Sequence, residues 1–319
     1  MSNTSDFFEE KKGWSLLKDM IIGDYMKPYI SKILFTRRPL MILDCFAGKG
    51  IFDDGQDGSP LIIAKHIKNV LENENENVYP NKQIYGVFIE KKYADDLENN
   101  LKDYKNCKVS KGIYEEHVEI LLNSDKINGF NIFLYIDPYG IKSLDFEYFK
   151  KIKNRNFSSV ELLMNFSVFG FLRAGCAALK NESAIMEYDD LPENVSDRIV
   201  KLNQIAGGEY WQKIKKDKYN DITMKEAEEL FTQEYSNKLG TVFKYVIDIP
   251  IREKSNNIPK YRLFFGTNHD DGLILMADEM NKAWRKFLEM ERMSTVQVSL
   301  EEIYEFPDMR ILKGYDPEQ

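Results

Sequence analysis

Cysteine, histidine and long apolar runs are all scarce in this sequence of 319 residues. The three cysteines, Cys45, Cys107 and Cys176, lie far apart and show no CxxC or Cys/His ligand spacing, so we expect reduced thiols and no metal site. The longest apolar runs fall well short of the roughly 18 residues of a membrane span, and the polar N-terminus lacks the apolar core of a signal peptide. We therefore expect a soluble, cytoplasmic protein with no membrane partner.

Basic residues are also in the minority. The 44 lysines and arginines face 52 acidic residues, which gives a formal net charge of −8. The chain as a whole thus lacks the basic footprint of a strong non-specific nucleic-acid binder, while a local basic groove stays open. Its 43% of hydrophobic residues is enough for a sizeable core, either in one large domain or in one domain with an appended lobe.

The two common phosphate-binding motifs, GxGxxG and GxxxxGK[ST], are missing as well. The stretch LDCFAGKG at 43–50 follows the apolar run PLMI, so it is predicted to be a buried strand that breaks into a glycine turn. Its pattern DxFxGxG is formed by Asp44, Phe46, Gly48 and Gly50. Taken alone, such a turn is more typical of an ordinary strand-to-helix connection than of a cofactor site.

Short apolar runs alternate with segments of helical spacing through the first half of the chain. Five runs are too apolar for a strand with one wet face, which is typical of central parallel strands: 39–44, 83–90, 107–112, 131–137 and 160–168. Helices are predicted at 14–34, where Pro28 should bend or split the helix, and at 61–71, 93–104, 114–122 and 146–153. This alternation predicts an α/β fold with a doubly wound, Rossmann-like sheet of order 3-2-1-4-5.

The second half of the chain differs in composition, and it completes the predicted organisation. Residues 242–251 and 261–269 are predicted to form an antiparallel hairpin at the sheet edge, followed by an amphipathic helix. The predicted units are an N-terminal helical extension at 1–38, a Rossmann-like domain at 39–176 and 241–292, a helical insertion at 177–240 and a C-terminal tail at 293–319.

Polar residues end two more of the predicted strands. Glu90 ends the second strand, where a carboxylate can accept hydrogen bonds from both hydroxyls of a ribose, although by itself it fits the start of a solvated helix better. The fourth strand ends in an acid, a rigid turn residue, an aromatic ring and a glycine: Asp137, Pro138, Tyr139 and Gly140. That tetrapeptide is also a good β-turn sequence. Position favours a site, because the first and fourth strands flank the switch point of the predicted sheet.

These features together resemble a known superfamily. DxFxGxG, an acid ending the second strand, DPYG ending the fourth and a terminal strand pair are similar to class I S-adenosylmethionine-dependent methyltransferases. More narrowly, LDCFAGKG, GSPLIIA, YIDPYG, MNFS and YRLFFGTNHDDGLILMADEM, behind a helix that begins near Trp14, resemble the bacterial three-Cys-motif partner (TcmP) family. The resemblance implies a methyltransferase fold, S-adenosylmethionine as cofactor and association with a three-Cys-motif protein.

The resemblance also implies roles for individual residues. The glycine turn would face the methionine part of the cofactor, Glu90 would bind its ribose, and the turn after the third strand would contact adenine. The residues implied to bind cofactor are Asp44, Phe46, Gly48, Gly50, Glu90, Gly112, Ile113 and Tyr114.

The DPYG motif carries the implied chemistry. In amino methyltransferases with DPPY, the acid accepts a hydrogen bond from the exocyclic amine of a base, and the aromatic ring stacks on that base. Catalytic roles are therefore implied for Asp137, Pro138 and Tyr139, with DNA or RNA as substrate. In this chain the aromatic residue stands one place early, closer to the DPFG of tRNA guanine-amino methyltransferases, and the target base stays open.

A few other residues are candidates for the substrate side. Gly140 is one of them, and Asn165 and Ser167 end the fifth strand near the proposed pocket, although polar residues at a strand end are more often local caps. His269 follows the last strand, where a lone histidine is more often structural. Two hypotheses remain: an enzyme that methylates an amino group of a nucleic acid base, and a catalytically inactive accessory protein that keeps the fold and acts through a three-Cys-motif partner.

Overall fold

The computed structural model describes residues 13–73, 82–179, 191–192, 194–216, 222–252, 257–294 and 310–312. The strands are β1 Leu40–Asp44, β2 Ile84–Glu90, β3 Cys107–Lys111, β4 Asn131–Ile136, β5 Ser159–Phe166, β6 Tyr245–Ile251, β7 Tyr261–Thr267 and β8 Arg310–Leu312. The helices are α1 Gly13–Leu34, α2 Ser59–Asn73, α3 Ala94–Leu101, α4 Tyr114–Asn123, α5 Phe146–Lys153, α6 Val168–Leu179, α7 Val195–Ala206, α8 Tyr210–Lys216, α9 Met224–Leu239 and α10 Asp270–Ser294.

The strands form one sheet of order β3-β2-β1-β4-β5-β7-β6-β8. Strands β1 to β5 pair in parallel, and β7 is antiparallel to both β5 and β6. Every residue of β4 and β5 is buried, because helices cover both faces of the sheet at its centre. The predicted order 3-2-1-4-5 and the terminal hairpin are confirmed, and this arrangement is the Rossmann-like methyltransferase fold.

Two layers of helices supply the hydrophobic core on either side of the sheet. Helices α1, α2, α3 and α10 pack on one face. Helices α4, α5, α6, α7 and α9 pack on the other, so the helices within the predicted insertion share the core of the sheet. Helix α9 begins with a capping box, in which Thr223 accepts from the Glu226 N–H and the Glu226 side chain accepts from the Thr223 N–H.

Two sequence predictions need correction. Pro28 does not split α1, since buried side chains on both sides of it, Tyr25 and Tyr29 among them, hold the helix against the core. The tail predicted at 293–319 is not wholly outside the sheet, because α10 continues to Ser294 and β8 pairs with β6. Strand β6 would otherwise be an edge strand, whose unpaired backbone groups favour the addition of another strand.

None of the helices described above has both the length and the apolar character that crossing a bilayer requires.

Candidate functional site

The carboxyl ends of β1, β2, β4 and β5 bring together the polar residues on which the predicted site depends. Asp44 ends β1 and Glu90 ends β2, while Asp137 directly follows β4 and Asn165 is the second-last residue of β5. The parallel register aligns these ends, since Asp44 lies opposite Tyr135 and Met164 lies opposite Ile136. Asp44, Glu90 and Asp137 therefore lie together at the switch point of the sheet.

Glu90 holds the shape of the glycine turn. Its Oε2 accepts a hydrogen bond from the Gly48 N–H at 2.8 Å, and its Oε1 accepts from the N–H groups of Lys92 at 2.7 Å and Tyr93 at 3.0 Å. Gly48 adopts a φ of +64°, a left-handed conformation that glycine tolerates best. One carboxylate thus joins the turn after β1 to the segment that leads into α3.

Gly50 is the place where the glycine turn packs most closely on the helices, and its predicted role in cofactor binding stays a prediction. Its φ is +86°, and a Cβ at this position would lie 2.7 Å from Leu61 Cδ1 and 2.9 Å from Leu97 Cδ1. Both leucines belong to the core under the sheet. The absence of a side chain at Gly50 therefore lets the turn pack closely on α2 and α3.

Asp44 is fully buried at the start of the turn. The Ser59 hydroxyl donates to its Oδ2 at 2.6 Å, and the Phe46 N–H donates to its Oδ1 at 3.3 Å. Burial raises the pKa of Asp44, these two hydrogen bonds oppose the shift and the nearby charge of Asp137 adds to it, so that together they bring the pKa to about 7. Asp44 therefore links the turn to the first residue of α2 and titrates near neutral pH.

Asp137 is anchored by three other side chains. Lys18 of α1 donates to Oδ2 in an ion pair, and the Tyr135 hydroxyl lies 3.3 Å from the same oxygen. The Asn165 Nδ2 donates to Oδ1 at 2.8 Å. The side chain of Lys18 is 5% exposed and that of Asp137 is 23% exposed, so the pair is closed on the protein side and reaches solvent on the other.

The sequence reasoning missed Lys18, although the signal was present. The buried face of α1 includes Leu17, Ile21, Ile22 and Tyr25. Lys18 stands four residues before Ile22 and therefore on that same face, since residues four apart in a helix are neighbours. A cation on the apolar stripe of a helix indicates a buried acidic partner.

The rest of the DPYG turn places an exposed aromatic ring, that of Tyr139, beside Asp137. Pro138 is buried, and Gly140 adopts a φ of +96°. The Tyr139 side chain is 67% exposed beside the partly exposed Asp137. An exposed ring next to a fixed acceptor is suited to stacking on a flat ligand.

The turn after β3 supports the second strand. The Gly112 N–H donates to the Glu90 carbonyl at 3.1 Å, and Gly112 has a φ of +145°. Tyr114 is buried, with its ring centroid 5.3 Å from that of Phe46. Ile113 and Phe46 are half-buried. The contacts of Tyr114 are packing contacts, and the adenine-binding role of this turn stays a prediction.

His269 does not lie at the site. Strand β7 runs antiparallel to β5, with Arg262 opposite Phe166 and Gly266 opposite Leu162. His269 follows the end of β7 and so lies at the edge where β5 begins, whereas Asp137 lies at the edge where the parallel strands end. The prediction of a substrate-side role for His269 is wrong, because it did not take into account the reversed direction of this strand.

Ser167 and Lys49 also lie at the edge where the parallel strands end. Ser167 is buried between β5 and α6, at the same end of β5 as Asn165. Lys49 forms an ion pair with Asp53. Cys45, Cys107 and Cys176 form no disulfide bond with one another. Within the described ranges, no group of three or more His, Cys, Asp or Glu side chains is placed to hold a metal ion.

No family model matches this chain, and no curated protein matches it. Among solved structures it is similar to yhhF of Escherichia coli, to which methyltransferase activity is provisionally ascribed, at 13% sequence identity. The similarity covers 46% of this chain and 70% of that chain, with a TM-score of 0.30. A similarity this low adds nothing to the strand order, which by itself defines a protein with the Rossmann-like methyltransferase fold.

Proposed function

We propose that this protein binds S-adenosylmethionine and methylates the amino group of a nucleic acid base. The observation that carries the proposal is the hydrogen bond from the Gly48 N–H to the Glu90 carboxylate. It joins the glycine turn after β1 to the acid after β2, at the switch point where an open α/β sheet binds its ligands. Asp137 stands at the end of the neighbouring strand on the other side.

The residues present fit this cofactor. Three of the roughly four acceptor positions of the Glu90 carboxylate are taken by backbone N–H groups, which leaves one for a ribose hydroxyl. A hydrogen bond to that charged group would contribute about 1.5–3 kcal/mol to binding. Asp44 suits a cationic ligand group close by, because such a charge favours the ionised form that burial disfavours. When bound, S-adenosylmethionine would supply an electrophilic methyl group.

The side chains at the end of β4 would position the acceptor. Asp137 is held in place by Lys18 and Asn165, so its free acceptor position can orient an amine without reorganising during the reaction. The amine of a base is conjugated to its ring, which makes alignment of its lone pair a large part of the task. Stacking on the exposed Tyr139 ring would contribute about 1–3 kcal/mol, against a few kcal/mol to extract the base from its stack.

Isothermal titration calorimetry with S-adenosylmethionine and S-adenosylhomocysteine tests the cofactor. We expect binding to the wild-type protein and no detectable binding to Glu90→Ala. Glu147→Ala is the matched control, because Glu147 lies in α5 and pairs with the exposed Lys150. Circular dichroism shows whether each variant is folded. The proposal is overturned if folded wild-type protein binds neither compound at millimolar concentration.

One observation favours a second candidate function, that of an inactive accessory protein. Lys18 already pairs with the carboxylate that an amine would need. Transfer of labelled methyl groups to single-stranded DNA and RNA oligonucleotides separates the two candidates. An enzyme should lose transfer in Asp137→Ala. Co-purification with a three-Cys-motif protein, together with unchanged activity of that complex when it contains Asp137→Ala, favours the accessory function.

A further inference from the structure

Asn165 is the one amide among the candidate residues with a free acceptor beside Asp137. It lies in β5, and only 2% of the residue is exposed. Its Nδ2 donates to Asp137 Oδ1 at 2.8 Å. Its Oδ1 is buried and has no hydrogen-bond partner in the part of the chain that the structure describes. A buried acceptor without a partner is costly, so such an atom in a site calls for a ligand or a water.

The orientation of this amide is set by its neighbour. If the oxygen and nitrogen of Asn165 exchanged places, the amide oxygen would face the Asp137 carboxylate, and two acceptors would oppose each other. The ion pair with Lys18 fixes the carboxylate in turn. The hydrogen bond to Asp137 therefore fixes which atom of the Asn165 amide is left without a partner, and that atom is the oxygen.

Asp137 has one acceptor position left. Its Oδ2 receives Lys18 Nζ and the Tyr135 hydroxyl, and its Oδ1 receives Asn165 Nδ2. A carboxylate oxygen has two lone pairs, so Oδ1 can accept one further hydrogen bond. Asn165 and Asp137 thus offer two acceptor positions without a partner in the described part of the chain, on side chains that already touch. A ligand oxygen at this place would meet only acceptors, whereas a group with two N–H donors would satisfy both.

We propose that Asn165 Oδ1 is a second substrate acceptor beside Asp137, and that the site selects a planar group bearing two N–H donors, such as the primary amino group of adenine, cytosine or guanine. This inference rests on the proposed function and names its substrate class. It makes Asn165 a specificity-determining residue that rejects a carbonyl oxygen in the same place. The competing explanation is a structural water on Asn165 Oδ1, which would give no such selection.

The test compares oligonucleotides that differ in one group. Short single-stranded DNA and RNA probes carry one central adenine, cytosine or guanine, or the hypoxanthine or uracil that lacks the amino group. Their binding is measured by fluorescence anisotropy with the protein saturated with S-adenosylhomocysteine. We expect wild-type protein to bind at least one amino probe at least ~10-fold more tightly than its partner without the amino group. Equal binding of every pair overturns the inference, and this arm needs no variant.

The Asn165→Leu variant assigns the selection to this residue. It should reduce the preference for the amino probe to within about 3-fold, because a bidentate site has lost one acceptor, while its affinity for S-adenosylhomocysteine stays unchanged. Asn73→Leu, at the exposed far end of α2 from Ser59, is the control and should keep the wild-type preference. A preference that persists in Asn165→Leu overturns the inference and leaves the proposed function standing. Failure of wild-type protein to bind S-adenosylhomocysteine overturns both.

Discussion

Two clusters of buried charge in this protein are built in different ways. In the first, Arg262 of β7 donates to both oxygens of Glu228 at 2.7 and 2.9 Å and to Asp248 Oδ1 at 2.9 Å. All three side chains are at most 1% exposed. In the second, Lys18 pairs with Asp137, whose side chain is 23% exposed and has an acceptor position left. The first cluster is closed on all sides, and the second is open towards solvent.

The difference separates structural charge from charge at a site. The Arg262 cluster ties α9 to β6 and β7, and its fork geometry satisfies the Glu228 carboxylate from one side chain. Nothing can approach it without unfolding that region. At the other cluster the donors occupy only the protein side of Asp137, so the open side can receive a ligand. Exposure of one side of a fixed carboxylate, and not the presence of a buried ion pair, therefore distinguishes the candidate site from the structural cluster.

The largest effect is expected from breaking the closed cluster. Arg262→Met leaves the buried Glu228 without its bidentate cation and removes one ion pair from Asp248, which should lower the free energy of unfolding by about 3–5 kcal/mol. Urea denaturation measures this. The control replaces all three residues, with Glu228→Leu and Asp248→Leu added, and should recover most of the loss, because an apolar replacement carries no unpaired charge. A loss below about 1 kcal/mol in Arg262→Met would contradict a structural role for the cluster.

A smaller and pH-dependent effect is expected at Glu161, a buried acid without a cation in the described part of the chain. Tyr25 donates to its Oε2 at 2.5 Å and Thr267 to its Oε1 at 3.0 Å, yet burial raises its pKa from 4.5 to about 7. The folded state thus holds the proton more tightly than the unfolded state. The stabilisation is full below pH 4.5 and is lost as the pH rises to about 7, a change of about 3 kcal/mol.

Glu161→Gln isolates this group. The difference in unfolding free energy between the wild-type protein and Glu161→Gln should change by about 3 kcal/mol between pH 4.5 and pH 7.5, with the wild type losing stability as the pH rises. Asp44 titrates in the same range but is present in both proteins, so its contribution cancels. Denaturation curves at several pH values provide the measurement. Parallel pH profiles of the two proteins would show that folding does not raise the pKa of Glu161.

Removing Lys18 from the second cluster should lower the free energy of unfolding by less than removing Arg262 from the first. Lys18→Met removes the ion pair, but Asp137 keeps the donors Tyr135 and Asn165 and can be solvated on its exposed side. We expect a loss of about 1–3 kcal/mol in unfolding free energy, smaller than that of Arg262→Met. Affinity for S-adenosylhomocysteine should be retained, because Glu90 and the glycine turn are untouched. If Lys18→Met lost as much unfolding free energy as Arg262→Met, both clusters would be structural and the distinction between them would be wrong.

The same contrast explains what could be predicted from the sequence. The apolar runs correctly predicted all five parallel strands and the hairpin, because a strand that is buried on both faces has a nearly continuous run of apolar residues. Asp44, Glu90 and Asp137 were found because they follow those runs. The position of Lys18 on the apolar face of α1 indicates a buried acidic partner, but the sequence does not show that this partner is Asp137, which lies 119 residues away. His269 was misplaced because strand direction depends on pairing, which periodicity does not record. The packing of Gly50 on Leu61 and Leu97 could not be predicted, because the glycine pattern does not record which helices lie beside the turn.

The smallest effect is expected at Lys49, whose place between Gly48 and Gly50 imitates a phosphate-binding lysine. Its Nζ pairs with Asp53, a side chain that is 54% exposed, and such an ion pair contributes less than about 1 kcal/mol. Lys49→Ala should therefore change the free energy of unfolding by less than about 1 kcal/mol. The affinity for S-adenosylhomocysteine should stay within about 3-fold of wild type, because the turn is held by the hydrogen bond from the Gly48 N–H to Glu90. Calorimetry and urea denaturation check both expectations. A tenfold loss of affinity would show that the glycine turn uses the charge of Lys49 to hold its ligand. Lys18 would then not be the only cation that contributes to the site.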